Sequence, residues 1–293
     1  MAVCNRPAGE DTLACNCHKT SEKAKEPMET PNCKITRFIS GTVKIEIHPD
    51  KKSAGVAAAY AAAEELRRLD RLRNGIGVIF ATGASQLDML DALTSIPGLP
   101  WERVQGFHMD EYIGLDENHP ASFRRYLREH LTGRVTMRKF FEMDGNAKNV
   151  DLFCQEYIRL LNSADPQLCL FGIGENGHLA FNDPPEAIFD DPQAMKVVTL
   201  DDVCRGQQVA EGWFKTLQEV PEKALTLTIP TLLRVPKLIC SVPGSRKAAV
   251  VRRTLEEPMT TDCPSTFLRT HPDVTIYLDA DSAAELKQVI IPS

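Results

Sequence analysis

Short apolar or alternating runs recur along the chain, and longer amphipathic stretches separate them. Thr42–His48 (TVKIEIH) alternates and predicts a strand. Ser53–Arg73 is rich in Ala, Leu and Arg and predicts a long helix. Gly77–Ala81 (GVIFA) predicts a buried strand and Gln86 to about Leu93 a helix. Then come a strand at Val104–Met109, a helix from His119 to about Leu131, a short strand at Phe140–Met143 and an amphipathic helix at Val150–Leu161. Leu168–Phe171 predicts another buried strand, Val197–Leu200 a strand, Asp202–Leu217 a helix, and Leu225–Ile229 is apolar and β-branched. Lys237–Val242 predicts a strand followed by a helix carrying Arg246 and Lys247; Val274–Leu278 is the last strand, and Ala283–Val289 a closing helix. Strands alternating with helices imply an α/β domain over 41–293: a single open, largely parallel, twisted sheet with helices on both faces. Residues 1–40, polar and poor in large apolar side chains, predict a flexible tail.

The chemistry concentrates where strands end. Leu168–Pro185 (LCLFGIGENGHLAFNDPP) runs from an apolar strand through three glycines into Glu175, Asn176, His178, Asn182 and Asp183. Ligands of open α/β sheets bind beyond the carboxyl ends of the strands. Histidine is the side chain that exchanges protons near neutral pH. A tight turn with a hydrogen-bonded histidine is the competing reading. Thr82-Gly83-Ala84-Ser85 joins a strand to a helix start, where free N–H groups and the helix dipole attract anions; a plain strand-to-helix turn is its alternative. Asp110 and Glu111, at the end of another strand, read either as a solvated cap or as a base with a neighbour.

Composition narrows the field. The chain has 293 residues, 43% hydrophobic and 25% charged, which is ample for a core. A formal net charge of -6 argues against a nucleic-acid partner. No apolar run approaches the roughly 20 residues of a membrane helix, and the polar N-terminus lacks a signal-peptide core, so neither a membrane association nor export is expected and the expected compartment is the cytoplasm. The nine cysteines are odd in number, and Cys154, Cys169, Cys204, Cys240 and Cys263 are scattered through structured sequence, which predicts reduced thiols. Cys4, Cys15, Cys17, His18 and Cys33 fall in the tail, without the usual zinc-knuckle spacing. No metal or other cofactor is expected.

Three segments together, GVIFATGAS at 77–85, GFHMDEYIGL with HPASF within 106–123, and FGIGENGHLAFNDP at 171–184, resemble the glucosamine-6-phosphate deaminase (isomerase) family. Asp144–Ala147 and Pro243–Ala248 (PGSRKA) resemble two further family segments, so the likeness spans roughly 42–280. The resemblance implies a Rossmann-like α/β fold without a nucleotide cofactor. It also implies conversion of glucosamine 6-phosphate and water to fructose 6-phosphate and ammonia. Asp110 matches the base that moves a proton from C2 to C1, with Glu111 beside it among the expected substrate contacts. His178 matches the ring-opening group; Thr82, Gly83, Ala84 and Ser85 match the phosphate loop, Lys247 a phosphate-binding lysine, and Arg205 a basic lid residue. Two positions depart from the family pattern: Asn176 stands where an aspartate is usual, and Asp183 where a glutamate is usual. Asn176 can orient the imidazole and Asp183 can also supply charge. The implied partner is a small phosphosugar, with glucosamine and galactosamine forms not distinguished. A homo-oligomer fits the family, whose members range from small to hexameric assemblies. Two alternatives are 6-phosphogluconolactonase, whose histidine loop and D-E-R segment differ from GHLAFNDP and M-D-E-Y, and a non-catalytic sugar-phosphate sensor, which would not need both Asp110 and His178.

Overall fold

A computed structural model describes residues 35–287. In chain order the elements are β1 (Thr36–Ser40), β2 (Val43–His48), α1 (Lys51–Leu72), β3 (Ile76–Phe80), α2 (Leu87–Ser95), β4 (Val104–His108), β5 (Asp110–Tyr112), α3 (Phe123–Leu127), β6 (Lys139–Phe141) and α4 (Val150–Ala164). They continue with β7 (Pro166–Phe171), β8 (Met195–Thr199), α5 (Asp202–Ala210), β9 (Lys223–Leu227), α6 (Ile229–Leu233), β10 (Lys237–Val242), α7 (Ala248–Glu256) and β11 (Val274–Asp279). Eight strands form the main sheet in the order β1-β2-β11-β10-β7-β3-β4-β6. All its pairings are parallel except β1 with β2.

The central strands β3, β7, β10 and β11 are almost wholly buried, as their uninterrupted apolar sequences require of a sheet covered on both sides. On one face lies α1, whose Ala58, Ala59, Ala62 and Ala63 are fully buried and let α2 and the sheet approach closely. Asp50 caps α1 in a reciprocal capping box with Ser53. On the other face Tyr157 and Leu161 of α4 and Val250, Val251 and Leu255 of α7 close the larger core. Phe107 of β4 stacks on Phe141 at 4.6 Å and meets Tyr157 edge-on at 5.7 Å. Such aromatic pairs add about 0.5–1.5 kcal/mol beyond area burial and here fix the strand that leads to Asp110.

Four sequence expectations change. Residues 36–40 are not tail but β1, an edge strand that alternates between half-buried and exposed positions against β2; the cysteines and His18 assigned to the tail lie outside the described residues. The sheet is not single: β5, β9 and β8 form a separate antiparallel sheet around Tyr112, Phe181, Val198 and Phe214. α5 ends at Ala210 rather than Leu217, with Gly212 at φ 81° turning the chain away. Ala283–Glu285 is a turn instead of the start of a closing helix, and the end of that segment lies outside the described residues. Among the described residues, no helix is long and apolar enough to cross a membrane.

Candidate active site

The carboxyl ends of β3, β4, β7 and β10 open onto a cavity of about 340 Å³. This is where ligands are expected in a sheet of this kind.

The loop after β7 carries His178. Gly177 N–H donates to the Gly174 carbonyl at 3.0 Å, and Gly174 N–H to the His178 carbonyl at 3.0 Å, closing a tight turn. The imidazole lies directly over Gly174, where a Cβ would sit 2.2 Å from the ring, so no other residue fits there. Asn176 braces the histidine from behind. Its Oδ1 accepts from His178 N–H at 3.0 Å, and its Nδ2 donates to Asp183 Oδ1 at 2.7 Å. The same carboxylate oxygen lies 3.0 Å from His178 Nδ1. Burial opposes ionisation of Asp183, but the His178 imidazole and the Asn176 amide outweigh it and hold the carboxyl below the usual range. An ionised carboxylate only accepts, so Nδ1 carries the proton and Nε2 is left for the cavity.

Asp110 opens β5 and faces the cavity at 7% exposure. Its Oδ1 is buried without a hydrogen-bond partner among the described residues. Burial pushes this carboxyl well above the usual carboxylate range, and the charges of Glu111 and Asp183 add to the effect. One threonine joins this strand to the histidine loop. Thr226 pairs with Asp110 across β5 and β9. Its Oγ1 accepts from Phe181 N–H at 3.1 Å and from Asn182 Nδ2 at 3.4 Å.

Two turns of matching geometry frame the opposite wall. After β3, Gly83 (φ 99°, ψ 165°) leads into a short 3-10 turn, Ala84–Gln86, and then α2. After β10, Gly244 (φ 95°, ψ 151°) leads into Ser245–Lys247 and then α7. Both glycines need a left-handed φ that a side chain would strain. Thr82, Gly83, Ala84, Ser85 and Lys247 all line the cavity. Burial lowers the pKa of the Lys247 ammonium from the ordinary lysine value, against the opposing pull of Glu211 and Glu175. Helix-start N–H groups beside an ammonium suit a phosphate.

Two expected contacts are not in the cavity. Strand alternation turns Glu111 away from it. Its fully buried carboxylate instead accepts from Tyr112 N–H, Ser122 Oγ, Phe123 N–H and Arg124 N–H at 2.9–3.2 Å, which anchors the start of α3. Arg205 is likewise committed elsewhere, donating to the carbonyls of Leu217 and Val220 at 2.7 and 3.2 Å. Asn176 and Asp183 stand behind His178 rather than on the cavity surface. Conversely, the cavity includes residues that sequence reasoning missed: Lys51, Arg246, and a wall from α5 and the turn after it. There Tyr112 Oη donates to Gln208 Oε1 at 2.9 Å. Gln207 and Trp213 hold the Glu211 carboxylate at 3.0 and 3.3 Å. The Gln-Gln pair and the tryptophan beyond a glycine were the only signal of this wall. Among the described residues, no group of three or more His, Cys, Asp or Glu is arranged to hold a metal ion.

The chain is similar to known proteins. A glucosamine-6-phosphate deaminase of Arthrobacter sp. (strain FB24) is 32% identical over 251 residues, 84% of this chain and 93% of its own. One from Geobacillus sp. (strain WCH70) is 33% identical over 208 residues, 69% of this chain and 81% of its own. The solved structure of a monomeric glucosamine-6-phosphate deaminase matches with a TM-score of 0.76 at 27% identity, over 82% of this chain and 99% of that one. A 6-phosphogluconolactonase from Thermotoga maritima matches with a TM-score of 0.66 at 18% identity, over 81% of this chain and 99% of its own, a likeness of fold alone. The family described as glucosamine-6-phosphate isomerases/6-phosphogluconolactonase matches residues 49–277, and this chain belongs to it.

Proposed function

We propose that this protein is a glucosamine-6-phosphate deaminase, converting the amino-sugar phosphate and water to fructose 6-phosphate and ammonia. The observation that carries the reading is that one cavity holds both a buried Asp110 carboxylate, whose Oδ1 has no partner among the described residues, and His178, backed by Asp183. The turn at 82–85 and Lys247 supply the phosphate contacts. His178 Nε2 takes the proton of the anomeric hydroxyl and returns it to the ring oxygen, which opens the pyranose. Asp110 as carboxylate removes the C2 proton. It then delivers that proton to C1, the substrate ammonium passes a proton to O1, and the nitrogen lone pair so freed forms the C2 iminium. Water adds to that carbon and ammonia leaves. One base serving two adjacent carbons needs a carboxylate free of competing hydrogen bonds, which Asp110 provides. Burial also raises its basicity toward working pH. No step calls for a metal or a redox group.

The test is release of ammonia and fructose 6-phosphate from glucosamine 6-phosphate, with galactosamine 6-phosphate and 6-phosphogluconolactone in parallel. Ammonia from glucosamine 6-phosphate supports the reading. Lactone hydrolysis without ammonia replaces it with the lactonase activity, and binding without turnover replaces it with a sensor.

A further inference from the structure

Gln86 is the residue between the 82–85 turn and α2, and it is 1% exposed. Its side chain runs behind the turn, away from the cavity surface. Nε2 donates to Ser85 Oγ at 2.9 Å and reaches the carbonyl of Ser241 on β10 at 3.3 Å. Ser241 returns the contact, its Oγ donating to the Ser85 carbonyl at 3.3 Å. Space for the amide exists because a glycine follows β7 there: a Cβ on Gly172 would lie 2.7 Å from Nε2. Oε1, by contrast, is buried with no partner among the described residues. A glutamine kept at this cost, where an apolar side chain would leave nothing unsatisfied, points to what its donors do.

The donor arithmetic says what that is. A serine hydroxyl has one proton and two acceptor sites. Gln86 occupies an acceptor site of Ser85, so the Ser85 proton is not drawn to the amide and is free for the cavity. The second Nε2 contact ties the same serine to Ser241, one residue before the end of β10 and close ahead of the turn that carries Lys247.

We infer that Gln86 is a positioning residue for anion binding: it aims the Ser85 hydroxyl at the phosphate and holds the two anion turns at a fixed separation. This rests on the phosphate reading of the cavity given above. Gln86→Met keeps the length and removes both donors and the orphaned acceptor, so the fold is not expected to suffer. The dissociation constant for inorganic phosphate, by calorimetry, is expected to rise about fivefold to fiftyfold, part of the cost of deleting a hydrogen bond to a charged group. KM for the phosphosugar should rise with it and by more than kcat falls, the signature of lost uniform binding. In a Ser85→Ala background the same substitution should cost less than about twofold, because no hydroxyl remains to be aimed. Gln86→Asn, which keeps the amide but shortens its reach by one methylene, should repeat the loss and serves if methionine is not accommodated. Unchanged phosphate affinity in Gln86→Met or Gln86→Asn, or an equal loss with and without the Ser85 hydroxyl, overturns the inference. Lys247→Ala separates the two levels: if it leaves phosphate affinity unchanged the anion site itself fails, whereas a loss there without one in the Gln86 variants removes only the role of Gln86.

Discussion

Asp110→Asn should do two opposite things: abolish turnover and stabilise the fold at neutral pH. The carboxylate is buried, lacks a partner at Oδ1 among the described residues and sits near two other acidic groups, so its carboxyl titrates well above the usual range. Below about pH 3.9, the ordinary aspartate value, both folded and unfolded chains carry it protonated and it costs little. As pH rises past that point the unfolded chain ionises while the folded one resists, and stability is lost until the raised folded value is passed. Asparagine does not ionise, so the variant's advantage should be absent near pH 4 and grow toward pH 7. Relief of a strained functional group commonly amounts to about 0.5–2 kcal/mol, which for a chain this long is a Tm rise of about 2–4 °C per kcal/mol. Loss of a general base costs about 10²–10⁴-fold in kcat, or about 3–5 kcal/mol of barrier. Thermal melts of both proteins at matched pH values, together with ammonia release, read both quantities, and contributions from other titrating groups cancel in the difference. A variant that keeps turnover within tenfold of wild type refutes the base assignment. A variant whose relative stability falls between pH 4 and pH 7 refutes the electrostatic argument.

Lys247→Ala should weaken phosphosugar and inorganic phosphate alike by about 1.5–3 kcal/mol, the worth of one charge-assisted contact, read by calorimetry. Because burial favours the neutral amine, wild-type phosphate affinity should also fall as pH rises sooner than a solvated lysine would allow. Asp183→Asn should move the acidic limb of kcat/KM to lower pH and reduce activity, since it removes the carboxylate 3.0 Å from His178 Nδ1. Asn176→Asp should move the limb to higher pH but lower Tm, because it replaces a 2.7 Å amide–carboxylate bond with two like charges. Glu111→Gln should lower stability by about 1–3 kcal/mol through lost charge-assisted bonds at the start of α3, with the loss visible in Tm rather than KM.

The parallel strands were readable because burial on both faces leaves uninterrupted apolar runs such as Val78–Phe80 and Leu168–Phe171. The residues that end those strands, Asp110, His178 and the 82–85 turn, were readable for the same reason. What escaped notice lacked a local period. β5 is three residues long, two of them acidic, and its partner β9 lies over a hundred residues away. β1 alternates weakly inside a polar stretch. Glu111 looked like a site residue because a carboxylate next to Asp110 carries no sequence mark of which face it takes; strand alternation decides that only once β5 is known. Arg205 was placed by its match to a family lid residue, whereas the cavity wall beside it is made by amides, a carboxylate and an indole that no motif announces.

Thr226 gives the site a mechanical character. The base and the histidine hang from different elements, and the hydroxyl of this one threonine fastens the Phe181–Asn182 segment to the strand opposite Asp110. It works as the pivot of a pair of calipers whose jaws are Asp110 and His178. A protein built this way can retune the gap between Asp110 and His178 without altering either of them. Thr226→Ser keeps the pivot and loosens only its packing; Thr226→Val keeps the shape of the strand and unfastens one jaw. Substitution at this buried position therefore acts on the spacing of Asp110 and His178 through the backbone, with both side chains unchanged.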